Sequence, residues 1–345
     1  MHTSGALSRM QAPLRAGVIG GGNMGAHHAR NYAGLVGLCE LTGVYDVDQA
    51  RAATLVERTG GHVYASPEEL LADVDVVSIA SPSAFHVEHA LLALEHGVDV
   101  LIEKPLALNV PDALALRRAA ASMRVAPILQ VGHVEHYNPA VREVVKLLAD
   151  ERIVAVDMQR LGPWDGRIQD ADVVQDLMLH DIHVLLTLAD DDPVRFQAVG
   201  RSVRSPGSID HAVASFEFAD GLVASLSASR VTEEKIRRMT VTTEQAYITV
   251  DYLRRTVDVC RSTSLLDGAH GTRTYRQESV VERVFVPVEE PLFAQLRAFL
   301  LAVHERRAPE VGVAMGIRCL EVVESVRAQI GGGALARGVE ERTAV

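Results

Sequence analysis

The chain has 345 residues, 48% of them hydrophobic and 23% charged, with a formal net charge of −11. That length exceeds what one hydrophobic core usually sustains, so two domains are expected, and the composition is that of a globular protein rather than a disordered or fibrous one. The acidic balance excludes a general electrostatic grip on nucleic acid or anionic lipid, since both demand a basic surface, and no run of about 18 apolar residues is present to cross a bilayer as a helix.

The cysteines Cys39, Cys260 and Cys319 are odd in number, far apart and in no C-x-x-C pair. That spacing suits neither a disulfide framework nor a zinc site, so free thiols in a reducing compartment and no metal are expected. Residues 1–12 lack the apolar run of a secretory signal, which points to the cytoplasm. Residues 1–13 read as a flexible extension and residues 332–345 as a loose tail.

From Leu14 to about Val131, short β-rich runs alternate with amphipathic helical stretches. Strands are expected at 16–19, 41–45, 74–79, 98–102 and 127–131, with helical segments such as 67–71, 86–95 and 111–121 between them. Strict alternation implies parallel βαβ units, a doubly wound sheet with helices on both faces. After Gly132 the rhythm changes. Helical pattern covers 139–149 and 173–189, and strand-like runs lie at 153–159, 196–203, 212–218, 223–228, 239–243, 248–250, 257–260 and 281–286. Helical segments at 291–306 and 311–328 close the chain. Short turns such as Ala219-Asp220-Gly221 favour a mostly antiparallel sheet. The expected fold is therefore α/β: a dinucleotide-binding domain over 14–134, then a substrate and oligomerisation domain over 135–331 with a large open sheet.

Gly20-Gly21-Gly22-Asn23-Met24-Gly25 follows the first apolar run and opens a helix, the setting in which G-x-G-x-x-G holds a dinucleotide. Gly20 permits the tight turn, Gly22 the approach of backbone to pyrophosphate, and Gly25 the packing of helix on strand. Asn23 and Met24 then lie at the helix N-terminus, where phosphate binds. Asp46, at the end of the second strand, can accept hydrogen bonds from the adenosine ribose hydroxyls. A carboxylate there repels a 2′-phosphate and favours NAD over NADP, although nearby Arg51 could serve a phosphate.

Glu103-Lys104-Pro105 follows the apolar run 98–102 directly. Ligands of open α/β sheets bind outside the carboxyl ends of strands, so Lys104 is placed beside the nicotinamide half of the crevice. The proline restricts the lysine backbone to extended conformations. Alone, a lysine at a strand end is usually a solvated surface group.

With Ser81-Pro82-Ser83 followed by His86, the run from Gly97 to Pro105, and Asp176 with His180, these motifs make the chain resemble the Gfo/Idh/MocA oxidoreductase family from Leu14 to about Ile330. The resemblance implies a Rossmann domain joined to an α/β domain, and reversible oxidation of a sugar or cyclitol hydroxyl by a nicotinamide cofactor. It adds Ser81, Pro82, His86, Glu103 and Lys104 to the cofactor contacts and makes Lys104, Asp176 and His180 the catalytic set. By that carry-over His180 is the general base, Asp176 orients it, and cationic Lys104 polarises the reacting oxygen. A spacing of four puts Asp176 and His180 on one helix face. Many family members carry an acidic residue three positions after the histidine; here that position is His183.

Residues 131–140, 176–182 and Ser229-Arg230-Val231 with Lys235 and Arg237 resemble a subgroup, the nucleotide-sugar 3-dehydrogenases and UDP-N-acetylglucosamine 3-dehydrogenases in particular. A diphosphate substrate needs cations in an otherwise acidic protein, and Arg160, Arg167, Arg230, Lys235, Arg237 and Arg238 are local sources. Surface ion pairs are their plainer use. His133, Glu135, Asn138 and His183 are candidate contacts for sugar hydroxyls, and Trp164 for stacking or packing. Two other functions fit: a free-sugar or inositol dehydrogenase using the same three residues, and a non-catalytic dinucleotide-binding regulator, which has no evident need for that set. The broad sheet of the second domain is expected to mediate a homodimer or homotetramer.

Overall fold

The computed structural model describes residues 12–165, 171–204, 207–267 and 274–332. Arg167, nearly all of the expected N-terminal extension and all but the first residue of the tail lie outside these residues.

The first sheet contains β1 (Leu14–Ile19), β2 (Cys39–Tyr45), β3 (His62–Val63), β4 (Val76–Ile79), β5 (Asp99–Glu103) and β6 (Leu129–Gly132), in the order β3-β2-β1-β4-β5-β6. Every pairing is parallel. Strands of such a sheet are covered on both faces and read as unbroken apolar runs, and β4 and β5 are buried throughout. β3 is two exposed residues with no apolar run, so pattern alone gives no sign of it. Helices α1 (Asn23–Gly34), α2 (Gln49–Thr59), α3 (Pro67–Asp73), α4 (His86–Glu95) and α5 (Val110–Ser122) connect the strands. Their starts are written locally: Asp48, Ser66 and Asn109 each accept a backbone N–H at the N-cap of α2, α3 and α5. The strand order reverses between β1 and β4, which opens a crevice at their carboxyl ends.

After α6 (Pro139–Leu147) comes an eight-stranded sheet of β7 (Ile153–Leu161), β8 (Arg195–Arg201), β9 (His211–Glu217), β10 (Val223–Ser229), β11 (Ile236–Thr243), β12 (Ala246–Asp251), β13 (Thr256–Asp267) and β14 (Thr274–Val284). Its order is β14-β13-β12-β11-β7-β10-β9-β8. β7 and β10 pair in parallel; the other pairs are antiparallel. Alternation along β7 buries Val156, Met158 and Arg160 on one face, where α7 (Leu179–Ala189) and α9 (Val313–Gly332) cover the core. The β13–β14 hairpin runs well past the expected 257–260 and 281–286. Its ladder continues from Val257↔Val284 to Asp267↔Thr274, because backbone pairing does not stop where the apolar residues do.

The two closing helices tie the domains together. α8 (Pro291–Glu305) follows the second sheet in sequence, yet buries Leu292, Leu296, Phe299 and Leu300 with Ala16, Val18 and Tyr32 of the first domain. α9 contributes Leu320 to the core that holds Val131, and Cys319, Val323 and Val326 to the core under the second sheet.

Candidate active site

The glycine fingerprint forms the turn between β1 and α1. Gly20 has φ +101°, and a side chain there would meet the Ala80 and Ser81 backbone at 2.6 Å. A Cβ on Gly25 would lie 1.7 Å from the Gly20 carbonyl oxygen. Gly22, the N-cap of α1, differs: a Cβ would meet nothing within 4 Å, and no side chain caps the helix. The helix N-terminus is left open to an anion, which fits a dinucleotide pyrophosphate. The buried Asp46 carboxylate accepts the Gly21 N–H at 2.6 Å and the Asp48 N–H at 2.7 Å, so it also shapes the turn. Arg51, half-exposed, lies 3.4 Å from it.

A cavity of about 550 Å³ continues from this cradle into the crevice, lined on the first-domain side by Met24, Ser81, Pro82, His86, Glu103 and Lys104. From the second domain come Asp176, His180 and Arg237. The ring nitrogens of His86 lie 2.7 Å from the Pro105 carbonyl oxygen and 3.0 Å from that of Ser81, so His86 staples the two loops that bound the crevice. Glu103 is buried beneath: one oxygen lies 2.9 Å from His28 Nε2 and the other accepts the Lys104 N–H at 3.2 Å. Burial opposes the charge on Glu103, but His28 outweighs it and holds the carboxyl below its ordinary range. Ser78 joins the His28 ring at 2.9 Å to the Tyr32 hydroxyl at 2.7 Å. Sequence reasoning missed His28, Tyr32 and Ser78, because their partners lie tens of residues away and no local pattern marks them.

Lys104 Nζ donates to Asp176 Oδ1 at 2.9 Å and to the Asp176 carbonyl at 3.0 Å. The aspartate is thus engaged with the lysine, whereas the family resemblance implied that it orients His180. The helix explains the difference. Residues Val174–Met178 form a π-helical turn, with the Leu179 N–H bonded to the Val174 carbonyl. Such a turn is wider than an α-turn and changes the angular offset between positions 176 and 180. His180 Nδ1 is buried without a hydrogen-bond partner among the described residues. Burial first, then the cations Lys104 and Arg160, push the pKa of His180 well below its ordinary value, so the ring is neutral near pH 7.

Arg160, Glu135 and Asn138 line the cavity, but their polar groups are committed to one another. Arg160 donates to Asp181 at 2.7 and 3.0 Å and to Glu135 at 2.8 Å, and stacks over Tyr252 at 5.6 Å. Asn138 donates to Glu135 at 3.0 Å and caps α6 by accepting the Ala140 N–H. Burial opposes the guanidinium charge, but Asp181 and Glu135 outweigh it and raise its pKa. This cluster braces the wall rather than offering free donors. His133 and His183, expected to touch sugar hydroxyls, are each 1% exposed and do not line the cavity. The residue after β6 and the turn beyond His180 both face the seam between domains, where the two rings stack at 4.4 Å.

A second cavity of about 510 Å³ shares Asp176, Lys235 and Arg237 with the first and is lined further by Trp164, Ser229 and Arg230. Arg230 lies 5.7 Å over the Trp164 ring and is held by the Ala171 carbonyl at 2.6 Å and by Asp210. Arg238 points elsewhere, lining a groove on the opposite face of the sheet with Asp157 and Thr240.

Residues 14–133 match the model of an oxidoreductase family with an NAD-binding Rossmann fold, and residues 152–249 that of the Gfo/Idh/MocA C-terminal domain. A UDP-N-acetylglucosamine 3-dehydrogenase from Acidithiobacillus ferrooxidans is 33% identical over 318 residues, 92% of this chain and 97% of that protein. The chain belongs to the Gfo/Idh/MocA family. It is an oxidoreductase, as its dehydrogenase relatives are. A solved structure of the Acidithiobacillus enzyme superposes with a TM-score of 0.83 at 31% identity, covering 93% of this chain and 99% of the other. An inositol 2-dehydrogenase from Saccharopolyspora erythraea is 33% identical over 204 residues, 57% of this chain and 60% of that protein. A levoglucosan dehydrogenase in complex with NADH and levoglucosan shares the fold at a TM-score of 0.77 and 19% identity, with 93% and 98% of the chains covered.

Proposed function

We propose that this member of the family oxidises a hydroxyl of a nucleotide sugar to a ketone, the 3-hydroxyl of UDP-N-acetylglucosamine being the leading candidate, with NAD rather than NADP as cofactor. The observation that carries the reading is the pair of joined cavities. One holds Lys104, Asp176 and His180 beside the dinucleotide cradle; the other adds Trp164 and Arg230 to the shared Lys235, a stacking surface and cations suited to a nucleoside diphosphate. The likeness to the Acidithiobacillus enzyme over nearly the whole chain supports the same assignment.

Bound NAD supplies the hydride acceptor, held by Gly20, Gly22 and Gly25 with Asn23 and Met24 at the helix N-terminus and by Asp46 at the ribose. The protein's own groups manage the proton and the developing charge. Neutral His180 accepts the hydroxyl proton. The Lys104 ammonium, aimed by Asp176, donates a hydrogen bond to the substrate oxygen and stabilises the charge that builds there. Asp46 disfavours a 2′-phosphate.

The test is NADH formation with NAD and a panel of UDP-N-acetylglucosamine, other nucleotide sugars, free hexoses and inositols, with a carbonyl-trapping reagent to remove product. Turnover confined to UDP-N-acetylhexosamines is expected. Turnover confined to free polyols overturns the nucleotide-sugar assignment and makes the protein resemble its inositol dehydrogenase relatives in function.

A further inference from the structure

Behind the cleft, polar aromatic side chains gather on the seam between the domains. His133 and His136 lie in the segment leaving β6, and His183 lies on α7 three residues beyond His180. The His133 and His183 rings stack at 4.4 Å with 8° between their planes, and His136 meets His183 edge-on at 5.5 Å. His180 Nδ1, His133 Nδ1 and both ring nitrogens of His183 are buried without a partner among the described residues. Each such atom costs about 1–3 kcal/mol, so stability does not explain the cluster; an apolar residue at 183 would remove the cost. At the outer end His136, partly exposed, places Nε2 3.4 Å from Glu310, which pairs with Arg142 at 2.6 Å.

We propose that His133, His183 and His136 form a proton exit from His180 to solvent at Glu310. The inference rests on the proposed alcohol oxidation, which must release one proton per turnover. The carbinol C–H bond breaks and its electron pair leaves as hydride to the nicotinamide. The O–H bond breaks, C=O forms, and the hydroxyl proton lands on the cleft-facing nitrogen of His180. Substrate and cofactor fill the cleft, so the imidazolium sheds its other proton from Nδ1, on the seam side. A neutral imidazole accepts on one nitrogen and releases from the other, and His180 regains its starting tautomer when the cleft reopens to solvent.

The surrounding charges run in the required direction. Lys104, Arg160 and Arg237 face His180 and expel positive charge; Glu103 and Lys104 face His133; His133 and His136 face His183; and the carboxylate of Glu310, with Arg142, stands at the exit. Burial keeps His133, at about 3, and His183, well below its ordinary value, neutral at rest. Neutral rings are what a relay needs.

The test compares the wild-type enzyme with His136→Gln, His136→Ala and His183→Leu, using the full chain with NAD and UDP-N-acetylglucosamine. Expected are a fall in kcat for oxidation of about tenfold or more with KM unchanged, and a larger solvent deuterium isotope effect on kcat. Added imidazole is expected to restore His136→Ala, whose site reaches the surface. His136 is at the rim, so its variants report even if His183→Leu does not fold. Wild-type rates and isotope effects in the His136 variants overturn the relay and leave the proposed function standing, as does a loss that tracks the melting temperature and ignores imidazole. A wild-type enzyme silent with every sugar overturns the proposed function, and the relay with it.

Discussion

Lys104 and Asp176 come from different domains and meet at 2.9 Å across the crevice, with the lysine also held by the aspartate's own carbonyl at 3.0 Å. The contact fixes the ammonium in the cavity that His180 also lines, where the proposed mechanism puts the reacting oxygen. Lys104→Ala is expected to lower kcat by about 100-fold or more, the scale of one lost electrostatic stabiliser, while NAD affinity by calorimetry stays near wild type. Equal loss of both would show that Lys104 serves binding alone.

His180 must be neutral to accept a proton, and burial with its cationic neighbours depresses its pKa. Oxidation should therefore hold its rate as pH falls through about 6.5, where an ordinary histidine titrates, and decline only at more acid pH. A kcat/KM profile that bends near the ordinary value would remove His180 from the role of base.

The same depression has a stability consequence. In the unfolded chain His133 and His183 protonate near about 6.5; in the folded protein they stay neutral, His133 down to about 3. Between those values the unfolded state binds the proton that folded His133 does not, so stability is lost as pH falls, by about 1.4 kcal/mol per pH unit, and His183 acts in the same direction. Urea unfolding at a series of pH values should show His183→Leu with a shallower acid slope than wild type.

Arg160 is 4% exposed and neutralises both Asp181 and Glu135. Arg160→Ala strands the buried Asp181 carboxylate and the partly buried Glu135 and is expected to cost about 3–5 kcal/mol, read from denaturant midpoints. A loss under about 1 kcal/mol would mean that water replaces the guanidinium, and that the wall is looser than its hydrogen bonds indicate.

Asp46 accepts the Gly21 N–H, and in the proposed function it also disfavours a 2′-phosphate. Asp46→Ser should weaken NAD binding about tenfold and narrow the preference for NAD over NADP, with Arg51 released from Asp46 though still paired with Asp48 at 3.2 Å. Unchanged NAD and NADP dissociation constants would place cofactor selection elsewhere.

The sequence by itself determined the parts whose cause is local. Apolar runs bounded by glycine announce buried parallel strands, Asp48, Ser66 and Asn109 announce helix starts, and the fingerprint from Gly20 to Gly25 states its own backbone geometry, because turn, cap and close approach depend on neighbours in the chain. Lys104, Asp176 and His180 were also legible, since each sits on a motif, and the structure brings all three to one cavity. Tertiary structure alone decided which of them touch. Asp176 faces Lys104 through a π-turn that no spacing rule contains. His133 and His183 withdrew from the cleft into the seam, and Arg160 and Glu135 spent their hydrogen bonds on the wall. The α8 helix crossed back to the first domain. In each case partners distant in sequence compete for the same few donors, acceptors and apolar surfaces, and that competition is settled only when the chain is packed.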